Sequence, residues 1–239
     1  MLKKLFKPFR LPLQRKEPEQ PTVLDAHEHR LSCADFNRNS ANVAVRLQQA
    51  GFEAYLVGGC VRDSLIGVTP KDFDVATSAT PEQVRHEFRN SRIIGRRFKL
   101  VHVHFGRELI EVATFRSNHE QDHDVANNDQ SAHDASGRIL RDNVYGTMED
   151  DAQRRDFTMN ALYFDVSNDK VHDYSTGFAD IQRRLIRLIG DPEQRYLEDP
   201  VRMLRAIRFA AKLDFEIEDS TAEPIRRLAY LLRDIPSAR

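Results

Sequence analysis

The hydrophobic pattern of the chain changes its character twice. Up to residue 31, apolar residues are scattered among prolines and charges without a sustained period, which predicts a disordered basic tail over residues 1–31. Over residues 32–190, short apolar runs alternate with helical periods, and this alternation predicts an α/β head. Over residues 191–239, apolar positions follow helical spacing, so we predict an all-helical neck, which we expect to be truncated.

The same hydrophobic pattern, together with turn-forming residues, predicts the individual helices and strands. Gly51 is expected to end the first helix, and Thr80 followed by a proline is expected to begin the third. Phe105-Gly106-Arg107-Glu108 predicts a hairpin turn between two strands. Strands are predicted at 54–57, 73–76, 93–94, 100–105, 108–115 and 163–166. Helices are predicted at 36–50, 60–66, 80–88, 157–162, 175–184, 192–212 and 221–232, with a mobile loop at 117–137.

Composition narrows the class of protein. Hydrophobic residues make up 40% of the chain and charged residues 31%, which is the balance of a soluble globular protein. The chain has no run of apolar residues long enough for a membrane span, so none is expected. Cys33 and Cys60 form neither a disulfide framework nor a CxxC pair, and they fit a reducing, cytoplasmic location. We expect the protein to be a monomer.

Charge is distributed unevenly along the chain. The formal net charge of -1 argues, as an average, against a nucleic-acid-binding protein. Residues 1–16 nevertheless carry six Lys or Arg side chains and no acidic residue. We interpret this segment as a solvated basic tail, with an RNA-contacting arm as the alternative. Overall neutrality therefore does not exclude a local basic surface.

The central candidate for chemistry is Asp72-Phe73-Asp74. Alternate side chains of a strand share one face, so both carboxylates are expected to point the same way. Carboxylate oxygens suit Mg²⁺, and a pair of such ions can activate a hydroxyl and stabilise departing pyrophosphate. Taken alone, the pair is explained at least as well by a solvated acidic surface.

Two neighbouring features strengthen the catalytic interpretation. Gly58-Gly59 follows a predicted strand and opens a predicted helix, where backbone N–H groups approach a phosphate closely, and Arg62 lies one turn further. Glu111 interrupts an apolar strand, and a charge in such a run needs a partner. A metal ion is the favoured partner, and an ion pair with Arg116 is the alternative.

Four segments resemble one family. Residues 56–63, with the sequence LVGGCVRD, and residues 72–77, with DFDVAT, resemble the signature of the class II nucleotidyltransferases. This family contains the CCA-adding tRNA enzymes and the bacterial poly(A) polymerases. Residues 154–162, with RRDFTMNAL, are similar to its ribose-binding motif, and residues 198–202, with EDPVR, to the motif that reads the base. The resemblance extends over about residues 50–235.

The resemblance implies a nucleotidyltransferase fold, in which a mixed and mainly antiparallel sheet with helices is followed by the helical neck. It implies catalytic roles for Asp72, Asp74, Glu111 and Asp156, with the first three as ligands of Mg²⁺. It implies nucleotide binding by Gly58, Gly59, Arg62, Arg154, Arg155, Asn160, Asp199 and Arg202. Residues 199 and 202 are three apart, so on a helix they would share a face and offer an acceptor and donors to a base edge. Without the upstream motifs, the same pair would be interpreted as a helical ion pair.

One further stretch distinguishes members of the family. Residues 92–103, with RIIGRRFKLVHV, resemble the segment that marks poly(A) polymerases of proteobacterial type. That resemblance implies template-independent transfer of AMP from ATP to an RNA 3′ end, with ATP and RNA 3′ ends as partners. One alternative is a CCA-adding tRNA nucleotidyltransferase, which would share all of these site residues. The other is a non-catalytic RNA-binding module on the same scaffold.

Overall fold

The structure is a computed structural model that describes residues 21–95, 99–117, 131–133, 139–142 and 144–235. The strands are β1 Thr22–Leu24, β2 Ala54–Val57, β3 Asp74–Thr77, β4 Ser91–Ile94, β5 Leu100–Phe105, β6 Glu108–Thr114, β7 Ser131–His133, β8 Ile139–Asp142, β9 Leu162–Asp165, β10 Lys170–Asp173, β11 Leu185–Ile186 and β12 Glu216–Ile217. The helices are α1 Ala26–His29, α2 Arg38–Gln49, α3 Gly59–Leu65, α4 Pro81–Glu87, α5 Met148–Gln153, α6 Gly177–Gln182, α7 Pro192–Glu198, α8 Val201–Leu213 and α9 Asp219–Leu228. Short 3₁₀ turns occupy Cys33–Asp35, Thr158–Asn160 and Ala229–Asp234.

One eight-stranded sheet organises the head, in the order β1-β10-β9-β2-β3-β6-β5-β4. Every neighbouring pair in it is antiparallel except β3 and β6, which run parallel. The predicted fold class is confirmed, because this is a mixed, mainly antiparallel sheet with packed helices. The parallel pair lies inside the sheet, and the first residue of β3 is aligned there with the middle of β6.

The sheet is buried on both faces around β2. On one face, Val43 and Leu47 of α2 are fully buried in a large apolar cluster that contains Leu56. On the other face, α5 covers a smaller cluster that contains the rings of Tyr55 and Tyr163. Neighbouring residues of β2 thus belong to opposite clusters, as strand geometry requires.

The N-terminal prediction needs correction. Residues 22–24 form an edge strand that pairs with β10, and α1 follows it, so the disordered tail does not extend to residue 31. Leu24, His29 and Leu31 anchor this segment in the interior. Three buried residues at irregular spacing produce no period, which is why the pattern failed here. Residues 1–20, which include the basic stretch, lie outside the described residues.

The predicted helix at 192–212 is two helices, α7 and α8. Asp199 has extended backbone angles between them, because the residue before a proline is disfavoured in the helical region. The neck is also not wholly helical, since β12 pairs in parallel with β11. The boundary at residue 190 stays a prediction.

The loop predicted at 117–137 falls mostly outside the described residues. Residues 131–133 form a strand that pairs with β8, so for these three residues the loop prediction was wrong. In the described part of the chain, no helix has the length and apolar character needed to cross a membrane.

Candidate active site

The Gly58 turn joins β2 to α3 and forms one wall of the site. Gly58 has a φ of 79°, in the left-handed region that side chains rarely adopt. A Cβ atom there would lie 3.7 Å from Nη1 of Arg155 and 4.0 Å from Oδ2 of Asp74. The turn therefore brings bare backbone against a guanidinium and a carboxylate. Gly59 begins α3 directly after it.

The carboxylates converge because of the sheet register. Asp74 is the first residue of β3 and pairs with Val57 on one side and with Glu111 on the other. Asp72 lies before the strand and is exposed, so the prediction that both aspartates share one strand was wrong in its geometry. The strand begins at Asp74, one residue later than predicted, which leaves Asp72 in the irregular segment before it.

Asp74 carries an unfavourable charge environment. Burial, followed by repulsion from Glu111, raises the pKa of Asp74 to about 6. Asp72 also raises this pKa, whereas the positive charge of Arg155 lowers it. Within the described residues, no three His, Cys, Asp or Glu side chains form a ready-made metal-binding group. The donor set nevertheless fits Mg²⁺, because it consists of carboxylate oxygens whose negative charges are not balanced by neighbouring positive side chains.

His102 stands opposite Glu111 on the neighbouring strand. The two residues are register partners, and Nε2 of His102 lies 3.4 Å from Oε2 of Glu111. The two atoms are not aligned for a hydrogen bond. Among the described residues, Nε2 of His102 is buried and has no hydrogen-bond partner. The hairpin at residues 105–108 already fixes this pairing, so sequence reasoning could have found it.

A second group of charges surrounds Arg155. Asp151 Oδ2 accepts bonds from Nε and Nη2 of Arg155, at 3.1 and 2.9 Å, and from the Tyr163 hydroxyl at 2.8 Å. Nε of Arg154 lies 3.3 Å from the other carboxylate oxygen. Burial of Asp151 acts to raise its pKa, but Arg155 and Arg154 outweigh burial and lower the pKa to about 2.

A chain of polar contacts links Asp156 to both the head and the neck. Asp156 accepts bonds from Asn160 Nδ2 at 3.1 Å and from Nε of Arg205, in α8, at 2.6 Å. Nη1 of Arg62 donates to Asn160 Oδ1 at 2.6 Å, while its other nitrogens contact Asp63. Burial acts to raise the pKa of Asp156, but the Arg205 charge and the bond from Asn160 outweigh it, so the pKa is lowered.

The Asp199 and Arg202 pair is not arranged as the sequence suggested. Asp199 caps the end of α7 with extended angles and accepts a bond from the backbone of Val201, so the two residues do not share a helix face. The Arg202 side chain is buried and donates to Glu198 and to the carbonyl of Arg195. The helix break at residue 199 is the cause.

The structure therefore unites most of the predicted residues and adds others. Gly58, Asp74, Glu111 and Arg155 meet at one point, and Arg62, Asn160 and Asp156 form the adjoining chain. Sequence reasoning missed Asp151, Tyr163, His102, Arg195 and Arg205. Of these, Asp151 lies four residues before Arg155, a spacing that indicates an ion pair. Arg195 has a local partner in Glu198, three residues on, but its bonds to the backbone of Arg154 and Arg155 join residues about forty positions apart and gave no local signal. The partner of Arg205, Asp156, is likewise about fifty residues away.

This fold, with a glycine turn beside the paired residues Asp74 and Glu111, defines the class of protein as a nucleotidyltransferase head. The family model described as Poly A polymerase head domain matches residues 54–187. The chain belongs to this poly(A) polymerase head-domain family.

Individual relatives agree with the family. The chain is 57% identical to Poly(A) polymerase I of Escherichia coli O6:H1, over 92% of this chain and 47% of the relative. It is 55% identical to Poly(A) polymerase I of Haemophilus influenzae, over 91% and 48%. The solved structure of the Bacillus stearothermophilus CCA-adding enzyme with CTP is similar at a TM-score of 0.69 and 34% identity, over 82% of this chain and 44% of that one. The chain thus spans about half the length of these relatives.

Proposed function

We propose that this chain forms the catalytic head of a poly(A) polymerase, which transfers AMP from ATP to the 3′-hydroxyl of an RNA and releases pyrophosphate. The observation that carries the proposal is the parallel register that pairs Asp74 with Glu111 beside Gly58. High identity to Poly(A) polymerase I supports adenylation rather than another nucleotidyl transfer.

In this proposal Asp72, Asp74 and Glu111 hold Mg²⁺. Bound Mg²⁺ would supply charge neutralisation at the phosphates and a lower pKa for the attacking hydroxyl. The carboxylates are suited to this role because Asp74 is partly buried and repelled by its neighbours. A set of oxygen donors that repel one another gains most from a hard cation.

The remaining roles belong to groups around the carboxylates. Gly58 and Gly59 let backbone N–H groups approach the triphosphate, since a glycine has no side chain of its own to cover the backbone. Arg155 supplies positive charge beside Asp74, with Arg154 next to it. Asp156 accepts hydrogen bonds near the sugar.

Two further groups complete the nucleotide site in this proposal. Arg62 and Asn160 support Asp156 through the polar chain, rather than reaching the triphosphate from the buried position of Arg62. Asp199 and Arg202 contribute to base recognition after a change in the arrangement seen here, because Arg202 is turned toward Glu198. The partners of the complete protein are ATP and RNA 3′ ends, and we propose a monomer acting in the cytoplasm.

Primer extension tests this function directly. A short RNA is incubated with the full chain, Mg²⁺ and each nucleoside triphosphate in turn, with a chelator as the control for metal dependence. Long tails with ATP alone are the expected result, because a poly(A) polymerase strongly prefers ATP. No incorporation of any nucleotide, by a chain that remains folded, would contradict the proposal.

The CCA-adding enzyme is the second candidate, favoured by the structural similarity to a CCA-adding enzyme that holds CTP. In the same assay it would add a few C and A residues, and only to tRNA-like ends. A non-catalytic RNA-binding module would bind RNA or ATP without extension. The clustered carboxylates argue against that third candidate, because repulsion at Asp74 has no structural benefit.

A further inference from the structure

The guanidinium of Arg155 has two edges with different surroundings. Its outer nitrogen, Nη1, lies at the Gly58 turn, 3.7 Å from where a Cβ of residue 58 would stand, and Oδ2 of Asp74 lies 4.0 Å from the same point. In the described part of the chain, Nη1 makes only a long bond, of 3.5 Å, to the carbonyl of Asn160. The inner edge, formed by Nε and Nη2, points to Asp151 and Tyr163. The outer edge therefore has donor capacity to spare.

The inner edge is held by a closed set of three contacts. Nε and Nη2 of Arg155 both donate to Oδ2 of Asp151, at 3.1 and 2.9 Å. Nε also lies 2.9 Å from the Tyr163 hydroxyl, which in turn donates to the same Asp151 oxygen at 2.8 Å. The Arg155 guanidinium lies 5.2 Å from the centre of the Tyr163 ring. These contacts fix both the position and the rotation of the guanidinium plane.

The two holding residues are themselves immobilised. Tyr163 is fully buried in β9, with the rings of Tyr55, Phe115 and Tyr174 at 6.3 to 6.4 Å. Only 4% of the Asp151 side chain is exposed, against 22% for Arg155. Burial raises the pKa of Tyr163 well above its usual range, so the hydroxyl keeps its proton and remains a donor to the ionised Asp151.

We propose that Asp151 and Tyr163 are positioning residues that aim the outer edge of Arg155 at the phosphates of the bound nucleotide beside Asp74. This inference rests on the proposed nucleotidyl transfer at the same site. An arginine presents directed N–H groups only while its plane is fixed, since its charge alone does not orient a phosphate oxygen. Removing the Tyr163 hydroxyl keeps the charge of Arg155 and loses part of its orientation.

The matched pair of variants is Tyr163→Phe and Tyr174→Phe in the full chain. Each removes one hydroxyl from the same aromatic cluster, but only the first contacts Arg155. Primer extension with RNA and Mg·ATP supplies kcat and KM for ATP, and thermal melting supplies the folded fraction. We expect Y163F to lower kcat/KM about tenfold, with Y174F near wild type. Y163F is also expected to melt at a lower temperature than Y174F, because it removes a buried hydrogen bond to Asp151, so the activities are compared at a temperature at which both variants are folded.

Coupling between the two residues separates positioning from packing. Arg155→Lys keeps the charge but lacks the planar edge, so it is expected to lose as much as Y163F. If Tyr163 acts through Arg155, Y163F should cost little more in the R155K background. A full additional tenfold loss there would overturn the proposal, as would Y163F behaving like Y174F or R155K retaining full activity.

Calorimetric titration of Mg·ATP without RNA keeps this result distinct from the proposed function. If the wild type binds Mg·ATP but transfers no nucleotide, the proposed function fails while the positioning role can still be decided. Weaker Mg·ATP binding by Y163F than by Y174F would then support the role. Equal binding, or no binding by the wild type, would overturn it.

Discussion

The two halves of the candidate site balance charge in opposite ways. On the carboxylate side, Asp74 is repelled by Glu111 and Asp72, and its pKa is raised to about 6. On the arginine side, Asp151 is paired with Arg155 and Arg154, and its pKa is lowered to about 2. In the first half the carboxylates repel one another, whereas in the second half one buried carboxylate is ion-paired with two arginines and hydrogen-bonded to Tyr163. We therefore expect substitutions in the carboxylate half to affect activity without reducing stability, and substitutions in the arginine half to reduce stability as well as activity.

Asp74→Asn tests the carboxylate half and has the largest expected effect. Activity in primer extension should fall about a thousandfold, because the lost electrostatic stabilisation is several kcal/mol and each 1.4 kcal/mol is about tenfold. Stability in urea should stay the same or rise, since the substitution removes a repelled, partly buried charge. Asp214→Asn, at a highly exposed position in the neck, is the control and should leave both measurements unchanged. Retained activity in D74N would remove Asp74 from the chemistry.

Asp151→Asn tests the opposite half. It leaves two arginines with a neutral partner in a buried position, so the free energy of unfolding should fall by about 3 kcal/mol. Asp150→Asn is the matched control on the same helix. Among the described residues its carboxylate caps α5 by accepting bonds from Thr147, so its loss should stay below about 1 kcal/mol. Urea unfolding of the three proteins measures the difference, and equal stabilities of both variants would show that the Asp151 pairs contribute little.

The pH dependence of the same variant gives an independent check. The pKa of Asp151 is lowered in the folded protein from its ordinary 3.8 to about 2, so its stabilisation is present above pH 4 and is lost as pH falls toward 2. The stability difference between wild type and D151N should therefore narrow by about 2 kcal/mol between pH 6 and pH 2. If the stability difference stays constant over this range, the ion pairs do not lower the pKa of Asp151 in the folded protein.

Arg195→Met probes how the neck supports the arginine half. Nη2 of Arg195 donates to the carbonyls of Arg154 and Arg155, at 2.6 and 2.8 Å, and the side chain is mostly buried. Losing these charge-assisted bonds should reduce the free energy of unfolding by about 2 kcal/mol. Arg226→Met, on an exposed position of α9, supplies the comparison and should change stability very little. A similar loss in both variants would point to a general effect of removing charge from the neck.

The sequence predicted the head better than the contacts that hold it together. Periodicity and the Gly58-Gly59 turn placed β2, α3 and β5 almost at their observed bounds, because these elements have strong local patterns. β1 and β10 were missed, because short strands with few buried residues produce no period. The predicted arrangement of Asp199 and Arg202 was wrong for a related reason. The helical pattern of the sequence continues across Pro200, but the helix breaks before this proline.

Within the site, predictability depended on whether a partner was close in sequence. Asp74 was found from its spacing to Asp72, and Glu111 from its unusual position in an apolar strand, although only the parallel register shows that they are neighbours. Arg205 was missed because its contact with Asp156 joins the neck to the head. Long-range pairs of this kind depend on tertiary packing, which a single sequence does not display.

His102 lies beside Glu111, next to the carboxylate half of the site, and its replacement has the smallest expected effect. His102→Phe removes a nitrogen that stands 3.4 Å from Glu111 without hydrogen-bond alignment, so kcat/KM should fall only about threefold. Stability should not fall, because the lost atom is a buried polar group that has no hydrogen-bond partner among the described residues. His104→Phe, two residues along the same strand and exposed, controls for the added ring. A loss of activity alone would place His102 with the carboxylate half, where it orients Glu111. A loss of stability alone would instead show that His102 serves packing between β5 and β6.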